Sequence, residues 1–415
     1  MEQETSLFIA LLIFTSFIST TITLNAQTID YSEISSFGTI VYSAEPRTRT
    51  AIKIDYLKDL TSEELANLAI KYDLLITWLN EENKDAISRL YTINPEMKIL
   101  GYRNVAYVGE NEDGGKLLDY ARQNGWILKD IDGNEVQNLV NTVLKRADVG
   151  NPDFRDWLSD LIKNRTDSLG IDGIMGDVTA CRITMVNADP INPRTGEIYT
   201  DQDYSADMLA LVKRVREKTG KLYLANGVGM LQGSWKVGFW YNRELAEPIV
   251  NEVDGVLIEG LIRYKDSYNW RNEEDWKKDL EFLDFLNKKG KLTIAWTIVS
   301  GDIPEGATED QIAMFGFVTH LLVLSDDNDY YTARGYEEQF YDVVKIKIGN
   351  PLEDFHTLDG TSVVVREFSK SLILLNPSEN TYNIPIVGSY KTLDGQIISE
   401  IVLISHTGII LLKID

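Results

Sequence analysis

The sequence IDGIMGD at residues 171–177 has a near copy, VDGVLIE, at residues 253–259. Each segment opens with a hydrophobic residue and Asp-Gly, continues through further residues that are mostly apolar, and ends in a carboxylate, Asp177 in one and Glu259 in the other. Asp-Gly favours a turn, and the apolar residues that follow are typical of a buried strand. Five strand residues at about 3.3 Å each carry the chain roughly 16 Å away from that turn. We therefore predict two buried strands, each with an acid at its carboxyl end.

Apolar runs of similar length recur along most of the chain. They are FGTIVY (37–42), DLLITWL (73–79), KILGYR (98–103), GIMGD (173–177), LYLAN (222–226), GVLIE (255–259), LTIAW (292–296) and HLLVLS (320–325). Segments with helical periodicity separate these runs, and N-cap residues such as Thr61 and Asn151 precede some of the helices. Eight alternations of an apolar strand with a helix predict a parallel (β/α)8 TIM barrel over residues 30–345. An open doubly wound sheet is the competing architecture, but no glycine-rich phosphate loop follows the first predicted strand.

The two ends of the chain differ from this pattern. Residues 7–14, LFIALLIF, are followed by Ser and Thr and then by a small-residue site at Ala26, so residues 1–26 are predicted to be a signal peptide or an N-terminal membrane anchor. Residues 350–415 contain period-two apolar runs separated by Asp-Gly and Asn-Pro, which predict a small antiparallel β-domain resembling a sandwich. We expect a protein that is secreted or anchored at the cell surface.

The charge of the chain restricts its partners. The 415 residues carry a formal net charge of -23, which repels nucleic acids and anionic lipids because both bind through Lys and Arg. We therefore expect no nucleic-acid partner, no membrane contact beyond the possible anchor, and a neutral or cationic substrate. With Cys181 as the one cysteine and only three histidines, a Cys/His metal site is hard to assemble, and we predict no cofactor. The oligomeric state is left open.

The acids that end the two matched segments are the strongest candidates for chemistry. In a parallel barrel, active sites lie at the carboxyl ends of the strands, where Asp177 and Glu259 would share one cleft. Two carboxylates suffice to cleave a glycosidic bond, because one protonates the leaving oxygen while the other is the nucleophile or the base for water. In the structural alternative, Asp177 caps a helix and Glu259 pairs with Arg263.

Further polar and aromatic residues follow the predicted strands and are candidates for substrate binding. They are Tyr102, Arg103, Asn226, Trp296, Tyr264 and Asp326. Asn226 suits a hydrogen bond to a sugar hydroxyl, Trp296 suits stacking on a sugar ring, and Arg103 suits the orientation of a carboxylate. Ordinary packing, a salt bridge and a helix start are the structural alternatives for these residues.

Five segments carry a resemblance to known barrels. They are LKDIDGNEV (128–136), ADVGNPDFRDWLSD (147–160), GIDGIMGDVT (170–179), VDGVLIEG (253–260) and VVVREFSKSLILLNPS (363–378). Through them the chain resembles the hypothetical glycosyl hydrolase 15 family and, more distantly, barrels of the alpha-galactosidase and endo-polygalactosaminidase types. The resemblance implies that Asp177 is the nucleophile or base and Glu259 the proton donor. The second acid is Glu here, whereas the alpha-galactosidase-like barrels use Asp, and the stereochemical course is left open.

Three hypotheses follow. The first is a glycosidase that acts outside the cell on a polysaccharide or glycoconjugate through Asp177 and Glu259. The second is a non-catalytic carbohydrate-binding or cell-envelope protein on the same barrel, since a fold does not fix a function. The third is hydrolysis of a different bond with calcium or magnesium held by Asp326, Asp327 and Asp329.

Overall fold

The computed structural model describes residues 48–110, 112–228, 242–263, 269–325 and 328–414. The predicted signal or anchor segment and the first predicted strand, at residues 37–42, lie outside these ranges. Within them, no helix combines the length and the apolar character needed to cross a bilayer.

Eight parallel strands close into a barrel in the part of the chain that the structure describes, in the ring order β1-β10-β9-β8-β7-β6-β3-β2. An antiparallel pair, β4 with β5, lies outside this ring. The strands are β1 (Arg49–Lys53), β2 (Leu74–Trp78), β3 (Lys98–Asn104), β4 (Tyr107–Gly109), β5 (Leu144–Arg146), β6 (Gly173–Asp177), β7 (Leu222–Asn226), β8 (Gly255–Glu259), β9 (Leu292–Ile298) and β10 (Asp329–Arg334). The predicted TIM barrel is confirmed.

Helices alternate with the barrel strands. They are α1 (Ser62–Lys71), α2 (Lys84–Ile93), α3 (Lys116–Gln123), α4 (Pro152–Leu169), α5 (Asp201–Thr219), α6 (Arg243–Glu252), α7 (Glu273–Lys288), α8 (Glu309–Val323) and α9 (Glu337–Val344). Both predicted caps are present: Thr61 forms a capping box with Glu64 at α1, and the Asn151 side chain accepts amide hydrogens at the start of α4. These caps fix the starts of two helices, on the side of the barrel at which the carboxyl ends of the strands lie.

The prediction of a strand at residues 320–325 is wrong, because residues up to Val323 belong to α8. This helix is buried on nearly all sides, so its sequence is a continuous apolar run rather than an amphipathic pattern. A short run of that kind cannot be distinguished from a buried strand by periodicity. The eighth barrel strand is β10, and the first barrel strand that the structure describes is β1.

The C-terminal residues form an antiparallel β-domain, as predicted. One sheet has the strand order β11-β12-β13-β16-β14-β15. Its strands are β11 (His356–Thr357), β12 (Val364–Glu367), β13 (Ser371–Asn376), β14 (Tyr382–Lys391), β15 (Ile397–Leu403) and β16 (Thr407–Lys413). Its description as a sandwich stays a prediction.

The β-domain packs on α8, within the same compact unit as the barrel. Arg366 of β12 is buried, and its Nη1 donates to the carbonyl oxygens of Leu322 and Leu324 at 2.9 Å each, which satisfies the carboxyl end of α8. Towards the other end, Gln311 donates to the carbonyl of His406 at 3.1 Å. Helix α8 is therefore enclosed between the barrel and the β-domain.

The interior of the barrel is filled by apolar side chains. They include Ala51, Leu74, Ile76, Leu100, Met175, Leu224, Leu257, Ile294 and Tyr330. Because side chains alternate between the two faces of a strand, the residue two positions after each of these also points inward. That rule decides which residues reach the mouth of the barrel.

Candidate active site

Inward-facing residues near the carboxyl ends of the barrel strands form a ring above the apolar interior. The members of this mouth ring are Lys53, Trp78, Tyr102, Asp177, Asn226, Glu259, Trp296 and Arg334. Each follows an inward-facing residue by two positions, so each points into the barrel as well. The mouth ring is polar and aromatic, whereas the layer beneath it is mainly apolar.

A cavity of about 420 Å³ opens at this mouth. Asp177 and Glu259 both line it, together with Tyr102, Asn226 and Trp296 of the mouth ring. Residues from loops above the barrel complete its walls, among them Asn138, Val140, Leu144, Thr184 and Met185. A cleft of this size can enclose a small ligand or part of a larger one.

The two acids meet at one amide. The Nδ2 of Asn226 donates to Asp177 Oδ1 at 2.9 Å and to Glu259 Oε2 at 3.2 Å. Asn226 lies on β7, between the strands that carry the two acids, so the order of strands in the ring produces the arrangement. The predicted pair therefore faces one cleft at the carboxyl ends of the barrel strands.

Asp177 receives two further hydrogen bonds. The Tyr102 hydroxyl donates to Oδ2 at 2.6 Å, and the backbone N–H of Val178 donates to Oδ1 at 3.0 Å. Burial raises the pKa of Asp177, the charge of Glu259 adds to this rise, and the hydrogen bonds oppose it. Burial and the adjacent charge of Asp177 also raise the pKa of Tyr102, so this hydroxyl stays a donor at physiological pH.

Strained backbone follows both acids. Val178, directly after Asp177, has a φ of 57°, and Ile262, three residues after Glu259, has a φ of 67°. Branched side chains rarely adopt this left-handed conformation, which persists only where the surrounding structure enforces it. At Val178 the turn aims the backbone N–H at the carboxylate that precedes it.

Glu259 contacts a cation of the mouth ring. Arg334 Nη1 lies 3.4 Å from Glu259 Oε1, and the guanidinium stands over the Trp296 ring at 5.2 Å from the centroid. Arg263, the partner proposed in the structural alternative, donates from Nη1 to the carbonyl of Ile298 at 2.8 Å. The helix after β6, which Asp177 would cap in that alternative, is capped by Thr200.

The other predicted binding residues divide into three groups. Tyr102, Asn226 and Trp296 line the cleft, with Asn226 engaged by the acids and one face of the Trp296 ring covered by Arg334. Arg103 lies elsewhere: it is buried, points away from the barrel interior and pairs with Glu112 at 2.5 Å. Tyr264 and Asp326 lie outside the described residues. In chain order Asp326 precedes β10 and does not follow a strand, so the reason for placing it at the mouth is removed.

Sequence reasoning missed Lys53 and Arg334. Both line the cleft, and they end neighbouring strands β1 and β10. The signal for Arg334 was the run DYYTAR, which is rich in β-branched and aromatic residues and ends in a cation. It was overlooked because the preceding apolar run was assigned to the eighth strand.

Acids at the opposite end of the barrel are engaged differently. Asp172 and Asp254, at the starts of the segments that end in Asp177 and Glu259, border a second cavity of about 630 Å³. Asp172 Oδ2 accepts the amide hydrogen of Ile99 at 2.7 Å, and Asp254 Oδ2 accepts that of Tyr223 at 2.8 Å. Arg216 also pairs with Asp254 at 2.6 Å. These acids hold neighbouring strands together.

Of the three residues proposed to hold calcium or magnesium, the structure describes Asp329, whose carboxylate accepts hydrogen bonds from other protein groups. Asp329 is buried at the start of β10 and accepts from Thr293 Oγ1 at 2.6 Å and from the Ser325 amide at 2.8 Å. Asp326 and Asp327 lie outside the described residues. Among the residues that the structure describes, no group of three or more His, Cys, Asp or Glu side chains could hold a metal ion.

A family model described as hypothetical glycosyl hydrolase family 15 matches residues 92–372, which is more than half of the chain. No curated protein sequence matches the chain.

Solved structures show the same fold at low sequence identity. A maltogenic alpha-amylase from Thermotoga neapolitana is similar with a TM-score of 0.54 and 10% identity, over 88% of this chain and 99% of that chain. An alpha-amylase from Geobacillus thermoleovorans, complexed with acarbose, gives the same values. An alpha-amylase from Malbranchea cinnamomea has a TM-score of 0.51 at 10% identity, over 88% of this chain and 96% of that chain. These likenesses concern the fold.

Proposed function

Because the chain belongs to the hypothetical glycosyl hydrolase family 15, we propose that Asp177 and Glu259 are the carboxylates with which this glycosidase cleaves an O-glycosidic bond. The observation that carries the proposal is the single amide of Asn226, which donates to both acids inside one cleft. A carboxylate pair facing a shared space is what glycoside hydrolysis requires.

The spacing of the pair supports retention of anomeric configuration. The two hydrogen bonds of Asn226 hold one oxygen of each carboxylate no more than about 6 Å apart. Retaining glycosidases hold their two carboxyl groups about 5 Å apart and inverting ones about 6.5 to 9.5 Å. The closeness of the pair favours direct attack by a carboxylate.

Asp177 is assigned as the nucleophile and Glu259 as the acid and base. Two acids this close do not ionise independently, so the pair shares one proton over a range of pH. Three donors, from Tyr102, Val178 and Asn226, reach Asp177 and favour its ionised form. We therefore assign the shared proton to Glu259, which Arg334 Nη1 approaches at 3.4 Å.

The reaction has two steps. Asp177 attacks the anomeric carbon while Glu259 transfers its proton to the glycosidic oxygen, so that the bond to the leaving group breaks and a glycosyl ester forms on Asp177. Glu259, now ionised, then removes a proton from water, which attacks the same carbon and releases the Asp177 carboxylate. Asn226 and Tyr102 keep the nucleophile oriented throughout.

The experiment compares the purified chain with Asp177→Asn and Glu259→Gln on a panel of polysaccharides, and follows the anomer released early in the reaction by NMR. We expect hydrolysis with retained configuration, lost in both variants. Glu259→Gln should keep more activity on substrates whose leaving group needs no protonation. Activity that survives both substitutions, or an inverted first product, would contradict the assignment.

The site of action is proposed to be outside the cell, on a polysaccharide or glycoconjugate. The support is the apolar run at residues 7–14 and the small-residue site near Ala26. Amino-terminal sequencing of the protein from culture medium and from membranes tests this, and a chain found only inside the cell with its amino terminus intact would contradict it.

A further inference from the structure

Two cations stand side by side in the cleft of a strongly acidic protein. The parallel register pairs Thr50 of β1 with Tyr331 of β10, so Lys53 and Arg334 lie three residues further along on neighbouring strands. Both line the cavity that Asp177 and Glu259 line. In a chain with a net charge of -23, two adjacent cations at such a position require a reason.

Both cations lie over aromatic rings of the mouth ring. Lys53 Nζ lies 4.9 Å from the centroid of Tyr102, and the Arg334 guanidinium lies 5.2 Å from that of Trp296. A cation over a ring face is stabilised without losing its capacity to bind an anion on its other side. The rings thus hold the two charges at the mouth of the barrel.

The acidic partners of the two cations do not saturate them. Lys53 pairs with Asp55 through one carboxylate oxygen, and Arg334 reaches Glu259 at 3.4 Å through one nitrogen. Each pair has one member in contact with water, because the Asp55 side chain is 46% exposed and the Arg334 side chain 44%. Each cation has N–H groups beyond the one in its ion pair, and these can bind an anionic ligand.

The mouth of the barrel is consequently polarised. The cations are on β1 and β10, and the acids are on β6 and β8, with β9 between β8 and β10. A sugar with an anionic substituent would be attracted by the cations and repelled by the acids, which favours orientations that place the substituent beside β1 and β10.

We propose that Lys53 and Arg334 form a subsite for an anionic group on the substrate, a carboxylate or a sulfate ester, and that the enzyme acts on acidic glycans. This rests on the proposed function and names its substrate class. It replaces, for the cleft, the expectation of a neutral or cationic substrate that the total charge suggested. Arg334 presents a planar fork suited to two oxygens of one group, and Lys53 adds a second point charge.

The test measures binding and hydrolysis separately. Calorimetry on Asp177→Asn, which binds without turnover, is carried out with three oligosaccharides of equal length: an oligogalacturonide, a sulfated galacto-oligosaccharide and its neutral counterpart. Arg334→Gln and Lys53→Gln are each added to this background. The control is Lys288→Gln, which removes one cation from the exposed carboxyl end of α7.

We expect at least one of the acidic oligosaccharides to bind at least about tenfold more tightly than the neutral one, and this preference to fall about tenfold in each cleft variant. The control should retain it. The carboxylate and sulfate probes distinguish the two sources of charge. Thermal unfolding establishes that the variants are folded.

Two outcomes would overturn the inference: equal binding of acidic and neutral probes, or an acidic preference that survives Arg334→Gln and Lys53→Gln. The active chain separates this result from the proposed function. Hydrolysis of neutral glycans that requires Asp177 and Glu259 would leave the proposed function standing without the subsite. Charge-dependent binding without hydrolysis of any probe would leave the subsite and contradict the proposed function.

Discussion

Strands β6 and β8 carry acids near both of their ends, and the two ends use them in opposite ways. Asp172 and Asp254, just before the strands begin, accept backbone amide hydrogens of the neighbouring strands. At the other end Asp177 and Glu259 face each other around the Asn226 amide. Both ends carry a pair of acids with the same spacing in the sequence, so the partners of each acid, rather than its presence, distinguish a structural role from a chemical one.

An acid that precedes a strand and accepts a backbone amide hydrogen of the neighbouring strand occurs elsewhere in the barrel too, which strengthens this contrast. Asp73 precedes β2, and its Oδ2 accepts the amide hydrogen of Thr50 in the adjacent strand at 2.9 Å. Acids that precede strands thus join neighbouring strands at several points at the amino-terminal end of the barrel. At the carboxyl ends of the described strands, the other members of the mouth ring are cationic, aromatic or amide side chains.

The largest expected effect is on kcat, which should depend on the acids in the cleft and not on those at the amino-terminal ends of the strands. On a substrate that the enzyme hydrolyses, Asp177→Asn should reduce kcat by about 10⁴-fold or more, because the nucleophile is removed. Asp254→Asn should change kcat less than about threefold, since it contacts the strand edge and not the cleft. Steady-state kinetics of the two variants would refute the contrast if both lost activity equally.

Unfolding free energies should show the reverse order. Asp254→Ala leaves the Tyr223 amide and the Arg216 guanidinium without this carboxylate, and we expect a loss of about 2 to 3 kcal/mol. Denaturant unfolding followed by circular dichroism measures the loss. Asp177→Asn provides the comparison, and a larger destabilisation from it than from Asp254→Ala would reverse the assignment of the two ends.

A smaller effect concerns stability and pH. The pKa of Asp177 is raised in the folded state, so the stability that its neutral form provides is present below its ordinary value of 3.8 and is lost as pH rises through the folded pKa. Asp177→Asn avoids this loss and should raise the Tm by roughly 2 °C at pH 7. The difference from the wild type should vanish below pH 3.8 in thermal scans. A lower Tm for the variant at pH 7 would contradict this.

The smallest expected effect concerns the limbs of the pH profile. Hydrolysis needs ionised Asp177, so kcat/KM should fall as pH decreases through a pKa that lies above 3.8. Glu259 carries the shared proton in that range and is neutral, so Glu259→Gln should leave the acid limb in place and remove the alkaline limb, which reports the loss of that proton. The measurement requires a substrate with a good leaving group, and an alkaline limb that persists in Glu259→Gln would contradict the assignment of Glu259 as the acid.

The sequence was most informative where a strand is bounded by a turn and ends in a distinct residue type. Asp-Gly fixed the start of β6 and β8, and strand length then predicted where Asp177 and Glu259 would lie. The prediction failed at α8, whose burial on nearly all sides removes the helical period, and this error concealed Arg334. Lys53 was missed because the first barrel strand was predicted at residues 37–42, whereas Lys53 ends β1.

The alternation of side chains along a strand could have excluded Arg103 from the cleft. Tyr102 and Arg103 are adjacent in β3, so only one of them can point into the barrel, and Leu100 in the interior selects Tyr102. The bridge made by Asn226 was beyond sequence reasoning, because a hydrogen bond to two acids depends on three strands at once. The proposed roles of Tyr264 and Asp326 stay predictions.

The enclosure of α8 by the β-domain has a consequence for biosynthesis. Arg366 and the strands that cover α8 come after the barrel in the chain, so they leave the ribosome after it. Until then the nascent barrel exposes an apolar helix and lacks the partner that satisfies its carboxyl end. We expect the barrel to complete its folding only once these strands have been synthesised.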